Sequence, residues 1–304
     1  MTIKIQMRHA VTPPHHRRRR LPPMIVYVIR HAQSENNALA VATIENAQRA
    51  SDPGLTQRGL EQCARLRERM TVTRETTTAA ATARGDDARD VEVYSSPMRR
   101  CLMTTDAVAR GLGVRFRVRG DLHEHGGCFR GARGGDATTS TSTATATPDI
   151  VGLPGMTKAD MERAFPRCDV PRELERGWWS PERGCESVRD AQERVRGVAE
   201  WLWARARDMK DGHEPTKDLY VVAHGMFIDI LFKTLFDAPR TTGKQRSLFC
   251  SQNACVHKLH FDISDDGECV GLQTFNDVTH IPEQYRSGGS VEGLDVAYTK
   301  EGSA

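Results

Sequence analysis

The sequence predicts a three-layer α/β sandwich in which a mostly parallel central sheet is flanked by helices. Short runs of β-branched and aromatic residues, such as residues 25–29, alternate with longer segments whose apolar residues recur at helical spacing. This alternation is typical of strands joined by helices that cover both faces of a parallel or mixed sheet. With 304 residues, of which 38% are hydrophobic, the chain can bury a sizeable core.

The first half of the sandwich is predicted between residues 24 and 118. Thr56 ends a turn at residues 52–56 and is a suitable N-cap for the helix that follows. In that helix Cys63, Leu66 and Met70 share one face. The predicted elements are, in order, a strand at 25–29, a helix-compatible segment at 34–49, a helix from 57 to about 70, frayed helix and loop at 71–89, a strand at 91–94, a helix ending near 110 and a strand at 114–118.

The second half is predicted between residues 121 and 275. It begins with a segment rich in His and Gly, followed by a Gly, Ser, Thr and Ala tract at 131–148 that is typical of a disordered surface loop. Thr157 is a candidate N-cap, and Val188, Val195, Val198 and Leu202 form one face of a long helix. The predicted elements are a short helix to residue 165, a helix at 186–209, a strand at 217–223, a helix at 226–236 and strands at 254–261 and 270–275.

The tripeptide Arg-His-Ala occurs twice, and its surroundings distinguish the two copies. Arg8-His9-Ala10 lies in a segment with four prolines and no acidic residue, which is typical of a disordered tail. Arg30-His31-Ala32 directly follows the predicted strand at 25–29. Its side chains would lie at the carboxyl end of a strand, where ligands bind in open α/β sheets.

The charge, the cysteines and the hydropathy of the chain limit which partners, metal sites and cellular locations are expected. The chain has a net charge of +3, but residues 1–23 carry six basic and no acidic residues, which leaves −3 for the rest. Nucleic-acid binding would therefore depend on the run at 17–20 alone, and we expect no nucleic-acid partner. The eight cysteines are scattered and contain no C-x-x-C pair, which argues against a zinc site and against a disulfide framework. Free cysteines are typical of a reducing compartment, so we expect the protein in the cytoplasm. No apolar run could span a membrane; the Arg-rich, acid-free start leaves organellar targeting as an alternative location.

Four short segments place Arg, His or Glu where the chain turns after a strand or loop. They are Arg30-His31, Arg100 in Ser95-Ser-Pro-Met-Arg-Arg100, Glu124 in Leu122-His-Glu124, and His224-Gly225 after an apolar strand. Each residue alone is open to a structural interpretation, such as a satisfied buried histidine or a solvated surface charge. Near Glu124, three neighbours could also donate a proton: Asp121, His123 and His125.

Together these segments resemble the histidine phosphatase superfamily, the phosphoglycerate mutase-like phosphatases and mutases. The family pattern Arg-His-Gly-x-Ser-x-x-Asn is matched by Arg30, His31, Ser34 and Asn37, with Ala32 in place of Gly. Leu-Thr-x-x-Gly-x-x-Gln is matched by Leu55, Thr56, Gly59 and Gln62. Ser-Ser-Pro-Leu-x-Arg-Ala-x-x-Thr is matched by residues 95–104, with Met98 for Leu and Cys101 for Ala. The Leu-x-Glu and His-Gly segments follow in the family's order, so the resemblance covers residues 24–281.

The resemblance implies a phosphoglycerate mutase-like fold and a role for each matched residue. His31 would be the nucleophile and Glu124 the proton donor. Arg30, Asn37, Arg100 and His224 would bind the phosphoryl oxygens, with His224 also counted as catalytic. No metal or other cofactor is implied, because cationic side chains bind the phosphoryl group. We expect one domain at 24–285 between a tail at 1–23 and a C-terminal tail at 286–304.

The expected function is a metal-independent phosphomonoesterase that acts on a small phosphorylated metabolite through a phosphohistidine. A mutase is the first alternative, although residues 125–130 do not match the Arg-His-Tyr-Gly signature that follows the acid in mutases. The second alternative is a non-catalytic module for phospho-binding or protein interaction. The sequence does not determine the physiological substrate or the oligomeric state.

Overall fold

The computed structural model describes residues 23–39, 49–83, 90–130, 150–239, 242 and 244–299. The predicted basic tail up to residue 22 and the predicted low-complexity loop at 131–148 lie outside the described residues. The same holds for most of the helix-compatible segment at 34–49, of which Glu35–Ala38 forms a short 3-10 helix.

A seven-stranded, mostly parallel sheet forms the centre of the domain, which confirms the predicted fold class. The strands are β1 (Met24–Arg30), β2 (Asp90–Ser95), β3 (Phe116–Val118), β4 (Phe129–Arg130), β5 (Val151–Gly152), β6 (Cys168–Asp169), β7 (Lys217–Ala223), β8 (Val256–Ser264) and β9 (Gly267–Asp277). The order in the main sheet is β6-β3-β2-β7-β1-β8-β9, and β4 pairs with β5 separately. The five strands from β6 to β1 are parallel, and β8 and β9 add an antiparallel hairpin.

Helices cover both faces of this sheet. They are α1 (Gln57–Ala83), α2 (Arg99–Leu112), α3 (Lys158–Ala164), α4 (Val188–Lys210), α5 (Gly225–Leu235) and α6 (Val291–Thr299). Successive strand residues point to opposite faces, so Ile29 joins the core formed with α1 and α2, whereas Val28 joins the core formed with α4 and α5. Two separate cores therefore hold the sheet between two helical layers.

Helix α1 is longer than predicted. The apolar pattern ends at Met70, but the helix continues to Ala83. Residues 71–80 are mostly exposed and need no apolar face, and Ala is a strong helix former. The hydroxyls of Thr73, Thr77 and Thr82 donate to carbonyls four residues earlier, which satisfies them within the helix. Exposure therefore explains why hydrophobic periodicity missed this part.

The sheet edges also differ from the prediction. The strand expected at 114–118 begins at Phe116, and the two-residue strand β6 was not predicted. The closing hairpin is longer than expected, because β8 and β9 continue to a turn at residues 265–266. Edge strands such as β9 carry many exposed polar residues, so they lack the apolar run that identifies a central strand.

The described part of the expected C-terminal tail packs against the domain. Ser287 accepts the backbone N–H of Asn253 at 2.9 Å, and α6 follows. Tyr298 in α6 is fully buried, and its hydroxyl donates to Asp229 of α5 at 2.5 Å. Residues 286–299 are therefore part of the folded structure. None of the described helices is long and apolar enough to cross a membrane.

Candidate active site

His31 and His224 lie side by side at the carboxyl edge of the sheet. Strands β1 and β7 are parallel neighbours, with Arg30 opposite Ala223 in the register. The residue after each strand is a histidine, and the centroids of the two rings are 5.1 Å apart. The backbone N–H of His31 donates to the carbonyl of Ala223 at 2.9 Å. Strand pairing therefore continues one residue further and fixes the start of both turns.

Arg100 reaches the same point from α2. This helix begins just after β2, which is the other neighbour of β7. Arg100 is 7% exposed, and its Nε donates to Nε2 of His31 at 3.3 Å. Thr104, one turn later, accepts the N–H of Ala32 at 3.0 Å and donates to the carbonyl of Arg100 at 2.8 Å. Thr104 thus connects the loop after β1 to the helix that carries Arg100.

The hydrogen bonds of His31 define its protonation state. Its Nδ1 is 2.7 Å from the carbonyl oxygen of Ala32, which can only accept, so Nδ1 carries the hydrogen. Burial, followed by the charges of Arg100 and Arg30, holds the pKa of His31 well below its usual 6.5, because each disfavours an imidazolium. The ring is therefore neutral near pH 7, and Nε2 keeps its lone pair.

His224 is the fully buried N-cap of α5. Its Nε2 is 2.7 Å from the hydroxyl of Ser96 and 3.4 Å from the sulfur of Cys101. Burial, followed by the charge of Arg100 and the neighbouring His31, holds the pKa of His224 well below 6.5. The imidazole is therefore neutral and has one N–H to donate.

Arg30 has an unused hydrogen-bond donor. Its Nη1 donates to the carbonyl of Ser251, whereas its Nε is buried without a hydrogen-bond partner among the described residues. Two glycines allow the backbone to approach it closely: a Cβ on Gly225 would lie 3.3 Å from Cζ, and one on Gly288 would lie 2.7 Å from Nη1. Burial lowers the pKa of Arg30 from its ordinary value. A desolvated guanidinium with a free donor is well suited to bind an anion.

Asn37 is held by its side-chain oxygen. Its Oδ1 accepts from the backbone N–H and the hydroxyl of Ser34, at 3.2 and 3.1 Å, and from Nδ2 of Asn253 at 3.2 Å. Since all three donors converge on the oxygen, the amide nitrogen is the group that can face a ligand. Asn253 is fully buried and also donates to the carbonyl of His31 at 3.1 Å. It therefore links the turns that carry His31 and Asn37.

Glu124 is attached to the N-terminus of α5. Its Oε1 accepts the backbone N–H groups of Phe227 and His125 at 3.0 and 3.1 Å, and its Oε2 accepts that of Met226 at 3.3 Å. These donors fix the orientation of the carboxylate. Because α5 begins immediately after His224, Glu124 and His224 lie at the same helix end.

A buried ion pair holds the loop that carries Glu124. Nε and Nη2 of Arg194 donate to the two oxygens of Glu186 at 2.8 and 2.6 Å. Nη1 of Arg194 donates to the backbone carbonyls of Asp121 and His123 at 2.8 and 3.0 Å. The guanidinium therefore binds the backbone of this loop at His123, the residue directly before Glu124.

Two of the three other candidate proton donors near Glu124, Asp121 and His123, have structural partners. Asp121 forms two hydrogen bonds with Arg119, at 3.0 and 2.6 Å. Nδ1 of His123 is 2.7 Å from the carbonyl of Gly120, and its ring packs against Trp178 and Trp179. Among these residues, the carboxylate of Glu124 is the one bound at the helix end next to His224. Within the described residues, no group of three or more His, Cys, Asp or Glu side chains is arranged to hold a metal ion.

The structure brings the predicted site residues to one edge of the sheet, and it adds three that the sequence analysis did not assign. Asn253 and Arg194 donate to backbone carbonyls in the turns of the site, and Glu186 pairs with Arg194. Asn253 lies in no strand or helix and in no motif, so no sequence signal identified it. Glu186 and Arg194 lie eight residues apart, and only the helix N-cap at Ser187 between them was a recognisable local signal.

Comparison with known proteins identifies a family. The model of the histidine phosphatase superfamily (branch 1) matches residues 26–145 and 149–274. Solved structures similar to this chain include mycobacterial hydrolase 2 (20% identity, TM-score 0.48, covering 91% of this chain and 97% of that chain). A mycobacterial glucosyl-3-phosphoglycerate phosphatase has 20% identity and a TM-score of 0.45, covering 83% of this chain and 99% of that chain. A phosphoglycerate mutase from Bacillus anthracis has 17% identity and a TM-score of 0.45, covering 85% and 95%. No curated protein sequence matches the chain.

Proposed function

Since this chain belongs to the histidine phosphatase superfamily, we propose that it hydrolyses a small phosphorylated metabolite through a phosphohistidine formed on His31. The reaction needs no metal, because guanidinium groups supply the positive charge at the phosphoryl group. A single observation carries this proposal: His31 is neutral, its Nδ1 is protonated, and its unprotonated Nε2 faces Arg100.

The two steps balance in protons and bonds. In the first step, Nε2 of His31 attacks phosphorus, the bond to the ester oxygen breaks, and protonated Glu124 gives its proton to the leaving oxygen. In the second step, a water molecule gives a proton to Glu124 and attacks phosphorus. The P–N bond then breaks, and its electron pair returns to His31, which is again neutral.

The cationic and polar groups bind the transferred phosphoryl oxygens. Arg100 shifts its Nε donor from His31 to a phosphoryl oxygen, and the unused Nε of Arg30 provides a second donor. The amide nitrogen of Asn37 and one N–H of His224 complete the set. Because the phosphoryl dianion offsets the charge of Arg100, which helps to hold the pKa of His224 down, its binding shifts that pKa upward.

The proposed location is the cytoplasm, and the two alternative functions differ from a phosphatase in the fate of the phosphoryl group. All eight cysteines are free, which supports the cytoplasm as the location. The starting segment that could direct the chain to an organelle lies outside the described residues. A mutase would use the same nucleophile but transfer the phosphoryl group back to an organic acceptor, whereas a non-catalytic module would bind phosphate without forming the intermediate.

Trapping the phosphoenzyme tests the proposal. We expect that brief incubation with a ³²P-labelled phosphomonoester, quenched without acid, leaves an acid-labile label on His31. His31→Ala should abolish the label, whereas His9→Ala, in the other Arg-His-Ala copy, should leave it unchanged. Label that persists in His31→Ala would show that the nucleophile is another residue. Transfer of label to added phosphoglycerate rather than to water would favour the mutase. Loss of activity in a chelator, restored by added Mg²⁺, would contradict the metal-free step.

A further inference from the structure

Ser96 and His224 are neighbours at the carboxyl edge of the sheet. Each directly follows a strand, and these two strands, β2 and β7, are parallel partners. The backbone N–H of Ser96 donates to the carbonyl of Val222 at 3.0 Å, so the pairing of the strands continues to Ser96. Both side chains are fully buried. The 2.7 Å contact between Oγ of Ser96 and Nε2 of His224 therefore joins two groups whose backbones the sheet holds in place.

The surroundings of the Ser96 hydroxyl show which atom of this contact is the donor. A hydroxyl has one hydrogen to donate and can also accept. The backbone N–H of Met98 donates to Oγ of Ser96 at 3.4 Å, so the oxygen already accepts there. Within the described residues, the acceptors beside the hydroxyl are Nε2 of His224 and the sulfur of Cys101, and a thiol sulfur accepts weakly. Buried hydroxyls are normally hydrogen-bonded, so the Ser96 hydroxyl donates to Nε2.

This direction of the hydrogen bond determines the tautomer of His224. A neutral imidazole has one N–H and one unprotonated nitrogen. Because Nε2 accepts from Ser96, the hydrogen lies on Nδ1. In the described part of the chain, the contact given for Nδ1 is the sulfur of Cys101 at 3.8 Å, a weak acceptor. The oxygens of a phosphoryl dianion are far stronger acceptors, so this N–H is available to one of them.

We propose that Ser96 is a positioning residue for phosphoryl transfer, which holds His224 in the Nδ1–H tautomer so that Nδ1 donates to a phosphoryl oxygen. The inference rests on the proposed function, because Nδ1 meets this acceptor only if the phosphoryl group binds at His31. The ring centroids of His31 and His224 are 5.1 Å apart, which brings a group bound to His31 close to His224. The other tautomer would turn the lone pair of Nδ1 towards the phosphoryl oxygens and repel them. Ser96 therefore determines whether His224 attracts or repels the phosphoryl group.

NMR of ¹⁵N-labelled histidine rings tests the tautomer directly, because protonated and unprotonated ring nitrogens have well-separated chemical shifts. The full chain is used, and the signals lost in His224→Gln identify His224. At pH 7.5 we expect a protonated Nδ1 and an unprotonated Nε2, and saturating inorganic phosphate should shift the Nδ1 signal. A protonated Nε2 in the free wild type, or an Nδ1 signal that phosphate does not move, would overturn the inference. This result does not depend on the folding of any Ser96 variant.

Ser96→Ala tests the residue that sets the tautomer. Loss of one hydrogen bond should change the ratio of the two tautomers by roughly 3–10-fold. Since only the Nδ1–H form donates to the phosphoryl group, the inhibition constant of inorganic phosphate should rise by a similar factor. Ring signals intermediate between the two tautomers should accompany this rise.

Ser95 provides the matched control for Ser96. It is equally buried, but its hydroxyl donates to the backbone carbonyl of Ser96 at 2.9 Å and accepts from Thr105 at 2.8 Å. Ser95→Ala should lower stability and leave both the tautomer of His224 and the inhibition constant unchanged.

The contrary results separate this inference from the proposed function. An unchanged His224 spectrum in Ser96→Ala would show that Ser96 does not set the tautomer, and an equal rise of the inhibition constant in Ser95→Ala would assign the effect to packing. Either result, in a wild type that hydrolyses nitrophenyl phosphate, overturns this inference alone. A wild type that hydrolyses no phosphomonoester refutes the proposed function, and the role of Ser96 in phosphoryl transfer with it.

Discussion

Arg194 and Glu186 form a buried ion pair that also holds the loop carrying Glu124. The guanidinium makes two hydrogen bonds to the carboxylate of Glu186 and two to backbone carbonyls of that loop, at Asp121 and His123. Their side chains are only 11% and 4% exposed. Burial alone would raise the pKa of Glu186, but the hydrogen bonds and the charge of Arg194, with a smaller effect from His123, hold it down at about 2, so the pair stays ionised over the neutral range.

Arg194→Lys should impair proton donation more than phosphoryl binding. Lysine keeps the charge but cannot make four hydrogen bonds in the plane of a guanidinium, so the loop shifts and moves Glu124. We expect phosphorylation by an alkyl phosphate to slow by roughly 10²-fold, with a smaller effect for nitrophenyl phosphate, which leaves without a proton. The measurement is the phosphoenzyme burst with each substrate.

The matched control for Arg194 is Arg205. It is equally buried, at 12% exposure, and pairs with Glu92 at 3.0 Å and Glu214 at 2.7 Å. Arg205→Lys should lower stability and leave the ratio of the two burst rates unchanged. An equal loss for both leaving groups in Arg194→Lys would assign Arg194 to general stability and not to the position of Glu124.

Glu124→Gln tests the proton donor itself. An alkoxide leaves poorly unless it is protonated, whereas a nitrophenolate is stable without a proton. We therefore expect phosphorylation by an alkyl phosphate to slow by about 10²–10⁴-fold, with a much smaller effect for nitrophenyl phosphate. The burst must be measured rather than turnover, because Glu124 also activates water in the second step.

Asp121→Asn is the comparison for Glu124→Gln. Asp121 is bound to Arg119 and lies three residues before Glu124 in the same segment. Its substitution should leave the burst rates nearly unchanged. A normal burst in Glu124→Gln together with a slow one in Asp121→Asn would identify Asp121 as the donor.

The sequence predicted the site residues that directly follow strands. Arg30, His31 and His224 could be placed because a short apolar run identifies a buried strand, and the carboxyl ends of parallel strands meet at one edge. Asn253 could not be placed in this way. Its role depends on contacts with residues more than 200 positions away in the chain, and no local periodicity reports such contacts.

The end of α1 and the folding of the C-terminal segment were harder to predict than the site residues. Hydrophobic spacing gave no reason to continue α1 beyond Met70, because the last turns face solvent. Helix α6 has only nine residues, yet Tyr298 is fully buried, and Leu294 and Ala297 pack against the same core. A helix this short gives too few turns for a clear apolar period in the sequence.

The protein should lose stability in mild acid through its buried neutral histidines. Burial lowers the pKa of His257 to about 3, and the backbone N–H of Asn276 donates to its Nδ1 at 3.1 Å, which requires an unprotonated Nδ1. Below pH 6.5 the unfolded chain binds a proton at this residue and the folded chain does not. Stability therefore falls as the pH falls and is independent of this group above pH 6.5.

Urea unfolding of His257→Gln at pH 7.5 and pH 5.0 measures this contribution. The ring also forms a hydrogen bond between its Nε2 and the hydroxyl of Ser251 at 3.0 Å, and glutamine can replace both hydrogen bonds but does not titrate. The wild type should lose about 2 kcal/mol more than the variant between the two pH values. His213, whose side chain is 72% exposed, provides the control, since His213→Gln should leave the loss unchanged. Equal losses in the wild type and His257→Gln would show that His257 is protonated in the fold at pH 5.0.

Tyr298 should stabilise the domain through a buried polar network on α5. Its hydroxyl donates to Oδ2 of Asp229, which also accepts from Lys233 at 2.7 Å, while Oδ1 accepts the N–H of Phe249 at 2.7 Å. Tyr298→Phe keeps the ring and removes one hydrogen bond to a buried carboxylate, so we expect the free energy of unfolding to fall by about 1.5–3 kcal/mol.

Deleting residues 290–304 should cost more than Tyr298→Phe, because the buried ring is lost together with its hydrogen bond. Removal of a buried aromatic side chain alone costs about 3–5 kcal/mol. Val291 is 61% exposed in the same helix, so Val291→Ala should change the free energy of unfolding by less than about 0.5 kcal/mol. Chemical unfolding of the three variants gives the comparison. If the deletion leaves the free energy of unfolding unchanged, the segment contributes nothing to the fold and behaves as the tail that its sequence suggests. A loss larger than that of Tyr298→Phe means that α6 is needed to hold α5, the helix that begins after His224 and whose N-terminus binds Glu124.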